Sequence, residues 1–306
     1  MGRKRKSSLT QQDAVTMLNE GISRQDMADK YGISRGTVGK IIKGGYHVAQ
    51  GNSRFISNLM FGDVHMKFQD ERAVSLMLKV CEVLNPDIIT IGGDLCDCWE
   101  LSHFTKRGDL RRKANLAAEI REVRDWLRML RSKFPHSEIW YLYGNHEHRW
   151  DVYIQDRAPE LYGLKGMTLA EQLELKEQDI QLFYSGNKET SHLWGKLLLG
   201  HFDRFSSISG NTARMLIADK GISLIQGHCH RMGAHYKRNF DRDIVGYENG
   251  CLCDLSPSWL DRPNWQLGFS IIYKEVDGDY FWVEQKPIIH AHDHYRVFYN
   301  GVVYEA

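Results

Sequence analysis

The pattern of apolar and polar positions divides the chain into a short helical head and a long region where strands and helices take turns. Gln11 to Glu20 places Ala14, Val15 and Leu18 at helical spacing, and Gly21 stops the pattern. Ser23 is expected to cap a second helix reaching about Tyr31, since a serine hydroxyl can accept from the free N–H groups of a first turn. Gly32-Ile33-Ser34 breaks the chain again: Gly32 suits a positive φ, and Ser34 caps a third helix that ends before Gly44. Beyond glycines at 44–45 and 51, Phe55–Phe61 reads as a buried strand, Asp70 to Leu84 as an amphipathic helix and Asp87–Ile91 as the next strand. A helical pattern runs from about Lys113 to Lys133, followed by strands at Glu138–Tyr143, Lys196–Leu199 and Gly221–Ile225. The tail from Ile244 to Tyr304 carries hairpin signals at Asp277-Gly278-Asp279 and Asn300-Gly301. Strands that alternate with helices predict an α/β body, here 54–306, behind a small all-α module at 1–45.

Charge sharpens that division. The chain of 306 residues has a net charge of only +1. Its first 45 residues nevertheless hold nine Lys or Arg against four acids, which leaves the remainder slightly acidic. A basic head on an acidic body predicts a module that meets a polyanion. Apolar residues make up 42% and charged residues 26%, the proportions of an ordinary water-soluble domain. No apolar run approaches the roughly 18 residues needed to span a bilayer. The basic start is followed by polar residues rather than a signal core, so a cytoplasmic location with no membrane partner is expected. Six cysteines occur, including Cys96-Asp97-Cys98 and Cys251-Leu252-Cys253. Four thiolates could hold zinc, but a one-residue spacing is not the usual one, and buried reduced thiols are the expectation.

Polar residues follow five of the predicted strands: Gly62-Asp63-Val64-His65, Gly93-Asp94-Leu95-Cys96-Asp97, Gly144-Asn145-His146-Glu147, Gly200-His201 and Gly227-His228-Cys229-His230. Ligands of open α/β sheets bind beyond the carboxyl ends of strands, so all five segments can converge there. Imidazoles, carboxylates and a carboxamide form a mixed nitrogen and oxygen donor set suited to manganese, iron, zinc, nickel or magnesium. Taken singly, each segment is more often a surface turn or a satisfied core group than a site.

The ordered set resembles the calcineurin-like metallophosphoesterase superfamily, whose motifs run Asp-x-His, Gly-Asp-x-x-Asp, Gly-Asn-His-Glu or Asp, His, then Gly-His-x-His. The resemblance covers Phe55 to the C-terminus and implies a four-layer sandwich, two β-sheets flanked by helices. It also implies two divalent metal ions, manganese first among the candidates. Asp63, His65 and His230 would hold one ion and Asn145, His201 and His228 the other, with Asp94 bridging both together with a water or hydroxide. His146 would stand beside the ions as general acid for the leaving oxygen, and Asp97 would orient its ring. Glu248-Asn249-Gly250-Cys251-Leu252-Cys253 and Asn264-Trp265 are similar to a subgroup found in bacteriophage and bacterial genomes.

In the head, Ala28 to Val38 resembles the helix-turn-helix of resolvases and transposases. That likeness implies a third helix in the DNA major groove, with Arg35, Thr37 and Lys40 on its leading face. The arm Arg3-Lys4-Arg5-Lys6 could enter the adjoining minor groove. Arg149, together with His103, Lys106 and Arg107, could line a substrate groove, since cations beside aromatic rings such as Trp99 and Phe104 suit nucleic acid. A nuclease or phosphodiesterase acting on DNA is therefore the leading expectation. The alternatives are a phosphomonoesterase, of proteins or nucleotides, and a DNA-binding regulator with secondary hydrolase activity.

Overall fold

A computed structural model describes Leu9, Ala14, Met17 and residues 20–42, 55–102, 115–257, 260, 263–291 and 294–306. In the head, Ala14 and Met17 are helical, and α1 (Arg24–Tyr31) and α2 (Arg35–Ile42) follow. Both serine caps form: Ser23 Oγ accepts from the Asp26 N–H at 3.1 Å, and Ser34 Oγ from the Thr37 N–H at 3.0 Å. Gly32 ends α1 in the left-handed region at φ 67°. Ala14, Met17, Met27, Ala28, Val38 and Ile41 bury one another in a small core, with Ile33 against it. The junction foreseen near 44–53 lies outside the described residues.

The body's strands are, in chain order, β1 (Phe55–Phe61), β2 (Ile88–Ile91), β3 (Glu138–Leu142), β4 (Ile180–Phe183), β5 (Thr190–Trp194), β6 (Leu197–His201), β7 (Ser223–Gln226), β8 (Met232–Arg238), β9 (Asp243–Asn249), β10 (Gly268–Glu275), β11 (Phe281–Pro287), β12 (Ile289–Ala291), β13 (His294–Tyr299) and β14 (Val302–Glu305). Six of them form a sheet in the order β11-β10-β1-β2-β3-β4, in which β1 to β4 are mutually parallel. Five form a second sheet, β5-β6-β7-β9-β8, and the last three form a small antiparallel sheet. Among the described residues the α-helices of the body are α3 (Glu71–Leu84), α4 (Leu116–Lys133), α5 (Asn145–Arg157), α6 (Leu169–Gln172) and α7 (Asn211–Lys220).

Period-two alternation along β1 sets the layers. Leu59 and Phe61 join Met77 and Val80 of α3 and Val123 and Leu127 of α4. Met60, between them, faces the other way and packs with Leu197, Leu199 and Ile225 of the second sheet. That sheet's far face meets Leu216 and Ile217 of α7. The result is helix on sheet on sheet on helix, the expected four layers. Asp70 caps α3 by accepting from the N–H groups of Arg72 and Ala73 at 3.1 and 3.0 Å. The hairpins at Asp277-Gly278-Asp279 and Asn300-Gly301 join β10 to β11 and β13 to β14.

Several elements carried too weak a pattern to be foreseen. β4 is only four residues long, and β5 (Thr-Ser-His-Leu-Trp) is largely polar. α5 has charged or polar residues at most positions and buries only Glu147, so no apolar stripe marks it. Among the described residues no helix is long and apolar enough to cross a membrane.

Candidate metal centre

The loops that leave the carboxyl ends of β1, β2, β3, β6 and β7 meet at one end of the two sheets. Two backbone bonds tie the first pair together, Asp63 N–H to Gly93 O at 3.0 Å and His65 N–H to Asp94 O at 2.9 Å. Asp63, His65, Asp94, His228 and His230 all adopt positive φ, at 49°, 46°, 52°, 75° and 55°. Non-glycine residues rarely accept that conformation, which costs on the order of 1–3 kcal/mol each and persists only where the surroundings over-determine it. The strain aims the side chains inward. Gly144 is required for a different reason: a Cβ there would run into the Asp94 carboxylate and backbone nitrogen.

All seven foreseen ligand residues come together, in the two groups anticipated. Asp63, His65, Asp94 and His230 form one cluster, and Asp94, His201 and His228 another, each with its donor atoms within 4.8 Å of one another. In the first, His230 Nε2 lies 3.2 Å from both His65 Nε2 and Asp63 Oδ1. In the second, Asn145 Oδ1 lies 3.0 Å from His201 Nε2 and 2.7 Å from His228 Nδ1. Asp94 belongs to both, as a bridging carboxylate must. So many nitrogen and oxygen donors converging in a buried space favour a cation among them. The electrostatics say the same. Burial opposes protonation of His201, yet the neighbouring Asp94 and Asp63 carboxylates push its pKa up to about 10. Burial and the charge on His201 push His228 down to about 4. This donor set therefore fits divalent metal ions.

Asp97 has a wider role than the one foreseen for it. Its Oδ1 lies 3.0 Å from His146 Nδ1 and also 3.0 Å from His65 Nδ1, so one carboxylate orients both rings. Burial disfavours its charge, but the hydrogen bonds from His146 and His65 hold the carboxyl well below the usual range. Arg149 stands over His146, with Nη2 2.9 Å from His146 Nε2 and Nη1 donating to Asp97 O at 2.8 Å.

Four further residues support the site: Glu147, Glu119, Cys253 and Trp265, of which Cys253 groups with His65 and His230 as a possible donor. The Glu147 carboxylate accepts from the backbone N–H groups of Asp94, Cys96 and Gly144 at 3.0, 2.8 and 2.9 Å, and from Tyr141 Oη at 2.8 Å. Burial and the Asp94 charge raise its pKa to about 7, against which those four donors work. Glu119, from the first turn of α4, accepts from Asp97 and Cys98 N–H at 2.5 and 3.0 Å. Cys253 Sγ lies 3.6 Å from His230 Nδ1, and the Trp265 ring packs 4.3 Å from the same imidazole. Glu147 sits inside a recognised motif, which is signal enough to find it. Glu119 has no motif to mark it. All six cysteines are free and buried.

The remaining foreseen residues are placed as follows. Arg3, Lys4, Arg5, Lys6, His103, Lys106 and Arg107 lie outside the described residues, as does the side chain of Lys40, whose backbone belongs to α2. Arg35 and Thr37 face the body of the protein: the Arg35 guanidinium pairs with Asp179, and Thr37 Oγ1 donates to Asp87 Oδ1 at 3.2 Å.

Among solved structures the chain is similar to Vacuolar Protein Sorting 29 from Cryptosporidium parvum, at 10% identity over 82% of this chain and 96% of that one, with a TM-score of 0.39. It is similar also to Vps29 of Chaetomium thermophilum, at 16% identity over 82% and 93%, with a TM-score of 0.38. Likeness at these scores carries no argument about activity. No curated protein matches the chain. Residues 2–44 match the helix-turn-helix domain of resolvase. Residues 59–302, the span that contains all seven clustered donors, match the calcineurin-like phosphoesterases, and the chain belongs to that family of metal-dependent enzymes.

Proposed function

We propose that this metal-dependent phosphoesterase is a phosphodiesterase that cuts DNA, a nuclease working with two divalent ions, manganese foremost. The observation that carries the reading is a resolvase-type helix-turn-helix on the same chain as the phosphoesterase region. A catalyst tethered to a DNA reader meets phosphodiesters at high effective concentration. Asp63, His65 and His230 would hold one ion, Asn145, His201 and His228 the other, and Asp94 both. When bound, the ions would supply Lewis acidity and a water of lowered pKa.

The chain's own groups do the rest. With Nδ1 held by Asp97, Nε2 is the nitrogen of His146 that would give a proton to the leaving alkoxide. Arg149 now covers that nitrogen. A phosphate dianion or diester attracts a guanidinium more strongly than an imidazole does, so incoming substrate would draw Arg149 off and uncover His146. Glu147 and Glu119 fix the backbone that carries Asp94 and Asp97, which keeps these positions when charge builds up.

The test sets labelled single- and double-stranded DNA beside an aryl phosphodiester and an aryl phosphomonoester, all with manganese. Cleavage of DNA and the diester supports the reading. Turnover of the monoester alone would replace it with a phosphomonoesterase, and DNA binding without any hydrolysis would replace it with a regulator.

A further inference from the structure

The parallel strands of the first sheet put the metal centre at their carboxyl ends and the helical head at their starts. The contacts of α2 with the body fall there. The Arg35 N–H donates to Glu138 Oε1 at 3.0 Å, at the first residue of β3. The Arg35 guanidinium forks onto both carboxylate oxygens of Asp179, just before β4. Thr37, buried, donates to Asp87 Oδ1, just before β2. The other Asp87 oxygen accepts from Ser57 N–H and Oγ of β1, both at 2.9 Å. Three carboxylates thus surround the amino-terminal end of α2, where a helix presents positive charge.

Two glycines in α2 belong to the same contact. A Cβ on Gly36 would come within 2.7 Å of the Asp87 and His136 carbonyl oxygens, and one on Gly39 within 2.9 Å of His136 Nδ1. Each glycine costs a helix interior about 1 kcal/mol relative to alanine. Their placement one turn apart on the face toward the body gives that cost a purpose, because only there can the two backbones approach so closely.

We propose that the acidic starts of β2, β3 and β4 form an intramolecular docking surface that covers the DNA face of α2, so that duplex DNA and the catalytic body compete for Arg35 and Thr37. The proposal rests on the reading of the head as a DNA module. A forked carboxylate on Arg35 offers the two acceptors a backbone phosphate would offer. The charged part of the contact is built to let go. The Arg35–Asp179 pair is half-buried on the Arg35 side and exposed on the Asp179 side, at 31% and 58%, and pairs that water reaches hold weakly and yield to salt or polyanions. A crevice separates Arg24, Gln25 and Arg35 of the head from Pro135, His136 and Asp179 of the body, so the surfaces are only partly packed. In the docked state the head is also far from the chemistry. The four steps of β1 from Ser57 to Phe61 alone span roughly 13 Å, and the metal centre lies beyond them. DNA read by α2 reaches the metal centre only after the head has left this surface.

The experiment locks and unlocks the full-length protein. Gln25 and Lys176 line one crevice between head and body, and both are exposed. Gln25→Cys with Lys176→Cys can be bridged by a short bis-maleimide, to which the six buried native cysteines are inaccessible. Separately, Asp179→Asn with Glu138→Gln removes two of the docking charges while keeping their shape. The bridged protein is expected to bind duplex DNA at least about tenfold more weakly than the unbridged one, with aryl phosphodiester turnover unchanged. The Asp179→Asn, Glu138→Gln protein is expected to bind about two- to tenfold more tightly than wild type. Equal DNA affinity in bridged, unbridged and charge-removed forms overturns the proposal, and so does failure of the bridge to form. If the bridge forms and no variant binds DNA at any salt concentration, the DNA reading itself falls and competition with DNA falls with it, while docking stands.

Discussion

The two ends of the first sheet carry very different surfaces. At the carboxyl ends of β1, β2 and β3, joined there by β6 and β7 of the second sheet, two carboxylates and four imidazoles share one buried space, five of the six on residues in left-handed conformations, and Glu147 and Glu119 pin the intervening backbone. At the strand starts, Asp87 meets the head in a buried contact with Thr37, and Glu138 and Asp179 meet it through side chains that water reaches in part. Both ends concentrate negative charge. One does so among buried donors that fit cations; the other does so where a cationic helix end already docks. The comparison teaches that an acidic cluster is read by what holds it: the candidate metal site is pinned by buried bonds throughout, and the docking surface joins one buried bond to pairs that water reaches.

Breaking the catalytic end should have the largest effect. Asp94→Asn removes the one group shared by both donor clusters, and hydrolysis is expected to fall at least about 10⁴-fold, since each ion supplies several kcal/mol of charge stabilisation. Metal content should fall with it, while duplex binding by the head stays unchanged. Loss of DNA binding together with activity would mean the two ends are not independent.

Next comes proton transfer. His146→Gln is expected to retain bound metal and to slow turnover by about 10²–10⁴ on alkyl phosphodiesters. The loss should shrink on nitrophenyl esters, whose leaving group needs little protonation. Equal losses on both substrates would assign His146 another role.

A third substitution tests the pinning itself. Glu147→Gln puts an NH₂ group among four donors, so at least one of them loses its partner. Global stability, read from urea unfolding, should drop by about 1–3 kcal/mol. An unchanged midpoint would show that Glu147 does not hold the Asp94 loop. The smallest effect belongs to the head: Lys40→Ala should flatten the slope of log duplex affinity against log salt by about 0.9 and leave aryl phosphodiester turnover alone. A parallel, merely shifted salt line would remove Lys40 from the phosphate contacts.

How much of the molecule is legible in its sequence follows from how local each signal is. Asp63 and His65, or His228 and His230, sit two residues apart and follow strong strand patterns, so their order along the chain carries the resemblance that implies the donor set. Layer order is legible too, because β1 alternates Leu59, Met60 and Phe61 between two cores. The sharing of Asp97 between His65 and His146 is only half visible, since motifs pair residues in the chain and not rings in space. The docking of α2 is invisible. Arg35 and Thr37 meet partners 50, 103 and 144 residues away, and a basic residue at the start of a helix reads equally as a DNA contact. Gly36 and Gly39 are the one local hint, two poor helix formers in a helix of eight residues.

The central claim is that the six side chains of Asp63, His65, Asp94, His201, His228 and His230, with Asn145, hold the metals that make this protein a phosphoesterase. Metal analysis of the full-length protein after manganese loading and removal of free ion, run beside aryl phosphodiester hydrolysis with and without chelator, tests it most directly. The account predicts close to two ions per chain, hydrolysis abolished by chelator and restored by manganese. Protein that carries no metal at saturating manganese, or that hydrolyses the diester equally well in chelator, would contradict it.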